Sequence, residues 1–202
     1  MQEVVSWGQV EYGGWTLYAA VHEDGRLCRV TVPGESLEAL GEWIAQQHGP
    51  VTLAFNPEVA GPACTEILEY LKGQRREFSI PLAMHGTDFQ VRVWEALRQI
   101  PFGEVRTYKE IAREVGRPTA VRAVAAANGA NPLPIVVPCH RVIGSDCSLT
   151  GYSGGLFIKA RLLELEGHRL FNGRQVVHWE ERALLHPRTR VSPGQAALAS
   201  GE

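Results

Sequence analysis

The sequence predicts an α+β fold: a small N-terminal α/β unit with an antiparallel sheet over residues 1–80, then a mostly helical unit over residues 85–170 carrying a helix-turn-helix and an active-site cysteine. A C-terminal extension follows over residues 171–202, with its last part disordered. Three observations lead there. Apolar and polar residues alternate with period two only near the N-terminus, capped stripes of helical period begin near residue 87, and the closing stretch HPRTRVSPGQAALASGE has no periodicity and is rich in small and turn residues. A chain of 202 residues, 45% hydrophobic and 21% charged, has the balance of a protein that buries a core.

The segments VVSWGQVEY, WTLYAAV and RLCRVTV read as strands, separated by the turn signals Gly13-Gly14 and Asp24-Gly25. A helix opens at Ser36, where Leu37, Leu40, Trp43 and Ile44 recur at helical spacing, and a second runs from about Thr65 to Lys72, stopped by Gly73. Nothing in this first unit groups as a nucleophile, base or metal site, so its expected role is supporting. From His85 the pattern becomes helical. Thr87 with Gln90 forms a capping box ahead of the stripe Phe89, Val93, Trp94, Leu97, and Thr107 with Glu110 forms another ahead of Ile111 and Ala112. Gly116-Arg117-Pro118 breaks that short helix, and a third, rich in Ala and Val, runs from about Thr119 to Asn128 and ends at Gly129. Two short helices joined by a tight turn, the second with an outward Arg122, fit a helix-turn-helix. Spacing alone fits an ordinary packed helix pair equally well.

Several classes are excluded. The longest apolar runs, such as Ile135-Val136-Val137, fall far short of the roughly 18 residues of a membrane span. The N-terminus has neither the basic flank nor the apolar run of a secretory signal, so an intracellular location is expected. Cys28, Cys64, Cys139 and Cys147 form no C-x-x-C pair, which favours free thiols over a disulfide framework or a structural zinc site. Charge is uneven: 5 Lys+Arg against 11 Asp+Glu over residues 1–84, 10 against 8 over 85–168, and 5 against 3 over 169–202. A nucleic-acid face, if present, belongs to the middle segment.

The run Asn131-Pro132-Leu133-Pro134-Ile135-Val136-Val137-Pro138-Cys139-His140-Arg141-Val142 carries the chemistry. A lone cysteine in an apolar run is usually a buried structural thiol. Here His140 and Arg141 follow at once, and cationic neighbours lower a thiol pKa and raise its thiolate fraction. Glu166 is a candidate carboxylate to orient His140, and because adjacent side chains rarely bond directly, a water between His140 and Cys139 is expected.

With PFGEVRTYKEIA, with RAV ahead of NGANPLPIVVPCHRVIG, and with LTGYSGGLFIKARLLELEGHRL, the chain from about Thr87 to Leu170 resembles the O6-alkylguanine-DNA alkyltransferases, also called methylated-DNA–protein-cysteine methyltransferases. The resemblance implies a single-turnover repair protein that flips O6-alkylguanine, and O4-alkylthymine with it, out of double-stranded DNA and keeps the alkyl group on Cys139. It implies His140 as the water-bridged base, Glu166 as its orienting carboxylate, Asn131 as the brace of the active-site turn, and Tyr108 as a proton donor to the flipped base. Arg122 is the residue that fills the gap in the stack, and it contacts DNA together with Tyr108, Thr107, Ala123 and Ala126. Pro134, Val142, Tyr152, Ser153 and Gly154 form the substrate pocket. No cofactor and no metal are implied, since the N-terminal Cys and His residues do not match the zinc pattern of some animal members. A monomer in the cytoplasm is expected, associated with the nucleoid in a bacterial source.

These roles make physical sense by themselves. An alkyl group on O6 lies inside the duplex, so a buried thiol reaches it only if the base is extruded, at a few kcal/mol of unstacking. Cys147 departs from the small residue expected in the loop after PCHRV and is read as an exposed bystander thiol. Two other readings compete. An alkyltransferase-like binding module is disfavoured because Cys139 is present, and a Cys-His hydrolase requires an oxyanion hole that the sequence does not announce.

Overall fold

The structure is a computed structural model, and it describes residues 3–171, 173 and 175–177. The expectation of a disordered tail lies outside the described residues.

Strands β1 (Glu3–Tyr12), β2 (Trp15–His22) and β3 (Leu27–Val30) form the predicted antiparallel meander. The first turn is Gly13-Gly14, both at positive φ as a tight two-residue hairpin requires. Helix α1 (Leu37–His48) starts where expected, with the Ser36 hydroxyl accepting from the Ala39 amide. A fourth strand, β4 (Val51–Phe55), was not expected. It pairs in parallel with β1, giving the sheet order β3-β2-β1-β4. Helix α2 (Pro57–Leu71) begins eight residues earlier than Thr65, because Asn56 caps two amides and Pro57 takes the first turn; Gly61-Pro62 masks this in the sequence.

Helices α3 (Asp88–Arg98) and α4 (Tyr108–Glu114) carry both predicted capping boxes. Helix α5 (Val121–Gly129) follows after Gly116 at φ 72° ends α4. The Trp94 indole donates to the Ala127 carbonyl at 2.8 Å and so locks α3 to α5. Short strands β5 (Arg106–Thr107) and β6 (Val142–Ile143) pair in parallel, tying the start of α4 to the residues just after Cys139. Helix α6 (Gly155–Leu165) precedes a small hairpin, β7 (Arg169–Phe171) with β8 (Gln175–Val177), where sequence periodicity had faded.

One contiguous apolar cluster joins the sheet and α2 to the C-terminal helices: Leu17, Val21, Ile67 and Tyr70 belong to it together with Val93, Trp94, Ile111, Val124 and Val137. The backbone links the halves as well. Val30 on the sheet edge donates to the Pro132 carbonyl at 2.9 Å, and Arg29, paired with Glu35 and lying over the Trp43 ring, reaches the same carbonyl. The sheet therefore holds the run that leads to Cys139.

Candidate active site

Residues 131–140 are all buried. Asn131 braces this run from inside: its Nδ2 donates to the Val137 carbonyl at 2.8 Å, and its Oδ1 accepts from the Leu133 amide at 3.0 Å. Pro134 lies within the braced stretch. Ile135 next to it sits at φ 76°, a left-handed conformation that is unusual for a β-branched residue and persists only where surroundings impose it. Cys139 then opens a single turn of 3-10 helix, Cys139–Arg141, with its thiol 2% exposed.

The thiol's electrostatics differ from the sequence expectation. Burial pushes the Cys139 thiol up, and the groups opposing this are the Asn131 side chain and the ammonium of Lys159. Arg141 points to Glu166 instead, and burial keeps His140 neutral by holding its pKa below the ordinary imidazole value, against the pull of Glu166. At Cys28 burial outweighs Arg26 and nearby backbone amides and takes the thiol to about 12, and Cys64, with nothing opposing burial, is taken to about 11. Cys147 is half-buried and not exposed: it sits at φ 65°, packed beside Ile143 and Leu149, and its carbonyl accepts from Val176.

His140 Nε2 lies 2.9 Å from Glu166 Oε1, and both side chains are fully buried. Arg141 grips the same carboxylate through Nε, 3.0 Å from each oxygen, and through Nη2 at 2.9 Å, while its Nη1 donates to the Ile100 carbonyl. The Gly103 amide completes the cradle at 3.2 Å. Desolvation alone would raise the Glu166 carboxyl, but His140 and Arg141 outweigh it and hold it well below the carboxylate range. His140 Nδ1 is buried and bonds no other protein group.

A strap over residues 150–155 closes the site. Lys159, fully buried on α6, donates to the carbonyls of Val142 at 2.5 Å and Thr150 at 2.7 Å. Burial pushes its amine down to about 8, with Cys139 pulling the other way. The Tyr108 hydroxyl donates to Thr150 at 3.0 Å, so the expected proton donor is engaged with the strap. The Tyr152 hydroxyl is buried without a protein partner, and burial first, then Cys139, raises its pKa well above that of a free phenol. Ser153 is exposed. Gly154 leaves no room for a side chain, because a Cβ there would lie 3.0 Å from Val32 Cβ on the sheet side.

The outer face is separate. Arg122, Ala123 and Ala126 are exposed on α5, while Val124, Ala127 and Asn128 of the same helix turn inward, the last reaching the Cys139 carbonyl at 3.4 Å. Thr107 is half-buried, and its hydroxyl serves the α4 cap. Sequence reasoning missed three groups: Lys159, the actual task of Arg141, and Tyr70, whose hydroxyl reaches Glu166 and His140 from α2. A signal existed for one of them, since Lys159 stands at an inward position of α6 beside the buried Ile158 and Leu162. For holding a metal, the structure offers Glu3, His22 and His48, with ligand atoms within 4.8 Å of one another; none belongs to the group around Cys139, and Glu3 already pairs with His22 at 2.9 Å.

Comparison with known proteins identifies the family. Residues 88–168 match the family model described as the 6-O-methylguanine DNA methyltransferase DNA binding domain. The inducible methylated-DNA–protein-cysteine methyltransferase of Bacillus subtilis (strain 168) is 42% identical over 160 residues, 79% of this chain and 89% of that protein. The corresponding protein of Methanosarcina barkeri is 55% identical over 121 residues, 60% of this chain and 77% of its own length. In structure, the Mycobacterium tuberculosis O6-methylguanine methyltransferase superposes with a TM-score of 0.69 at 37% identity, covering 90% of this chain and 99% of that one. The M. tuberculosis OGT in complex with DNA gives 0.68 at 39%, covering 80% and 92%. On this extent of likeness, across the sheet as well as the helices and the cysteine run, the chain belongs to the methylated-DNA–protein-cysteine methyltransferase family.

Proposed function

We propose that this protein removes the alkyl group from O6-alkylguanine, and from O4-alkylthymine, in duplex DNA by transferring it irreversibly to Cys139. The observation that carries the reading is the buried thiol beside a neutral imidazole whose Nε2 is committed to Glu166 and whose Nδ1 bonds no protein group. In the reaction, the Cys139 proton passes through a bridging water to His140 Nδ1, sulfur bonds the alkyl carbon, and the carbon–O6 bond breaks with its electron pair returning to the guanine ring. Tyr108 supplies the ring with a proton, and its release from Thr150 is part of that step. Lys159 offsets the charge that develops on sulfur.

The exposed α5 face, with Arg122 beside the small residues Ala123 and Ala126, supports a helix-turn-helix seated on DNA with Arg122 filling the place of the flipped base. Tyr152, Ser153 and Gly154 with Pro134 and Val142 line the pocket that takes it. No described helix is long and apolar enough to cross a membrane. Four free cysteines support a reducing compartment, the cytoplasm, and the nucleoid where DNA is held in bacteria. Intact-mass analysis after incubation with a methylated duplex tests the reading. One methyl per chain, then a plateau, is expected, with no gain for Cys139→Ser; turnover beyond one equivalent overturns it.

A further inference from the structure

Tyr70 lies on α2, in the half of the chain where sequence showed no chemistry, and its side chain is fully buried. Its ring packs at 5.3 Å from Phe78 and 6.1 Å from Phe102, centroid to centroid. Hydrophobic packing explains the ring but not the hydroxyl. That oxygen is 2.5 Å from Glu166 Oε1 and 3.2 Å from His140 Nε2, while His140 Nε2 is itself 2.9 Å from the same carboxylate oxygen. The three heteroatoms form a closed triangle.

The proton count of the triangle is determinate. Glu166, ionised beside Arg141, only accepts, and a phenol has one proton. At 2.5 Å that proton belongs to the bond to Glu166, so toward His140 the phenol oxygen has only lone pairs to offer. An imidazole with a lone pair at Nε2 would face two acceptors, a repulsive arrangement in a dry interior. An Nε2–H, by contrast, is shared between Glu166 and Tyr70. We infer that Tyr70 is a positioning residue for alkyl transfer, by which the N-terminal half holds Glu166 against His140 and tunes that pair, with the imidazole proton on Nε2 and the lone pair on Nδ1.

A second consequence concerns the strength of the base. The Tyr70 hydroxyl and the Arg141 guanidinium both draw charge out of the Glu166 carboxylate, so that less of it is directed at His140. The groups facing His140 are Glu166 at the end of α6, Arg141 beside it, Lys159 on α6 and Tyr70 on α2. Removing the hydroxyl leaves Glu166 a stronger acceptor, and His140 holds a proton more tightly.

The inference rests on Cys139 as acceptor, yet its direct test needs no substrate. Nitrogen-15 NMR of the side chain reads the tautomer of His140 in the free protein: a single species protonated on Nε2 is expected. Tyr70→Phe keeps the ring against Phe78 and Phe102. Because Glu166 still faces Nε2, the Nε2–H form should persist there, while the saturating rate of transfer falls roughly 10- to 100-fold with duplex affinity unchanged and the acid limb of the pH–rate profile moves upward. If the variant does not fold, 3-fluorotyrosine placed at position 70 alone, a stronger donor to Glu166, should move that limb downward. An unaltered rate and pH profile in Tyr70→Phe, or an unmoved limb with fluorotyrosine, overturns the inference while leaving Cys139 in place; a wild-type protein with the Nε2–H tautomer that takes no methyl overturns the reading of Cys139 instead.

Discussion

The buried ammonium of Lys159 and the hydroxyl of Tyr108 converge on a single carbonyl, that of Thr150, at 2.7 and 3.0 Å. The strap is thus pinned from α6 and from α4 at one point, and the cation that pins it is also the one opposing the burial of the Cys139 thiol. Lys159→Met should loosen the strap and remove that charge together. Transfer to a free O6-benzylguanine base and to duplex should slow by similar factors of about 10 to 100, since both substrates use the same thiol. Quench-flow kinetics on both substrates check this, and a loss confined to duplex would contradict it.

Lys159 also sets a pH limb. Its amine is pushed down to about 8, so the protonated form, and with it the positive charge near sulfur, is lost as the pH rises through that value. The transfer rate of the wild type should therefore fall above about pH 8, and Lys159→Met should lack that fall. A rate that keeps rising above pH 9 in the wild type removes the amine from the thiol's environment.

Arg141 and Glu166 are paired inside the protein, Arg141 being 5% exposed. Glu166→Gln strands a buried guanidinium, which costs about 3–5 kcal/mol when one partner of such a pair is removed. The carboxyl is held below its ordinary range in the folded state. Its contribution is present at neutral pH and is lost as the pH falls below that range. Urea denaturation at pH 7 should show the full cost of the substitution, and the difference from wild type should shrink toward pH 3.

Arg122 stands exposed on α5, apart from the buried group. Arg122→Ala should slow repair in duplex far more than reaction with free O6-benzylguanine, because only a duplex has a gap to fill. Side-by-side rate measurements decide it. Equal losses would take Arg122 out of base extrusion.

Salt should weaken duplex binding with a shallow slope. Each neutralised phosphate contributes about −0.9 to the log–log slope, and residues 85–168 carry 10 Lys+Arg against 8 Asp+Glu, several of them in ion pairs such as Arg98–Glu95 and Arg106–Glu104. Titrations at several salt concentrations should give a slope worth only a few contacts. A slope near −10 would point to Arg182, Arg188 and Arg190 in the C-terminal extension.

Much of this was legible in the sequence wherever short-range physics decides. The capping boxes at Thr87 and Thr107, the Gly13-Gly14 hairpin, and the run from Asn131 to Val142 all declare themselves in adjacent residues. What stayed hidden depends on separation along the chain. β4 is only half-buried and pairs in parallel with a strand some fifty residues earlier, so alternation gave it no signature. The start of α2 was obscured by Gly61-Pro62. Adjacency misled in one case: Arg141 follows Cys139 closely in sequence, but the 3-10 turn sends its guanidinium to Glu166, and the charge that acts on sulfur comes from Lys159, twenty positions on.

The shared apolar cluster has a consequence for anyone who would trim this chain to residues 85–170. Such a fragment would retain the thiol, the strap and the exposed face of α5, yet it would bare the flanks of Trp94, Val93 and Val137 that now rest in one cluster with Leu17, Val21 and Ile67. It would also leave the Pro132 carbonyl without Val30 and the Glu166 carboxylate without a phenol. In this sense the sheet is the floor on which the reactive turn is built, and neither half buries its own side of that cluster alone.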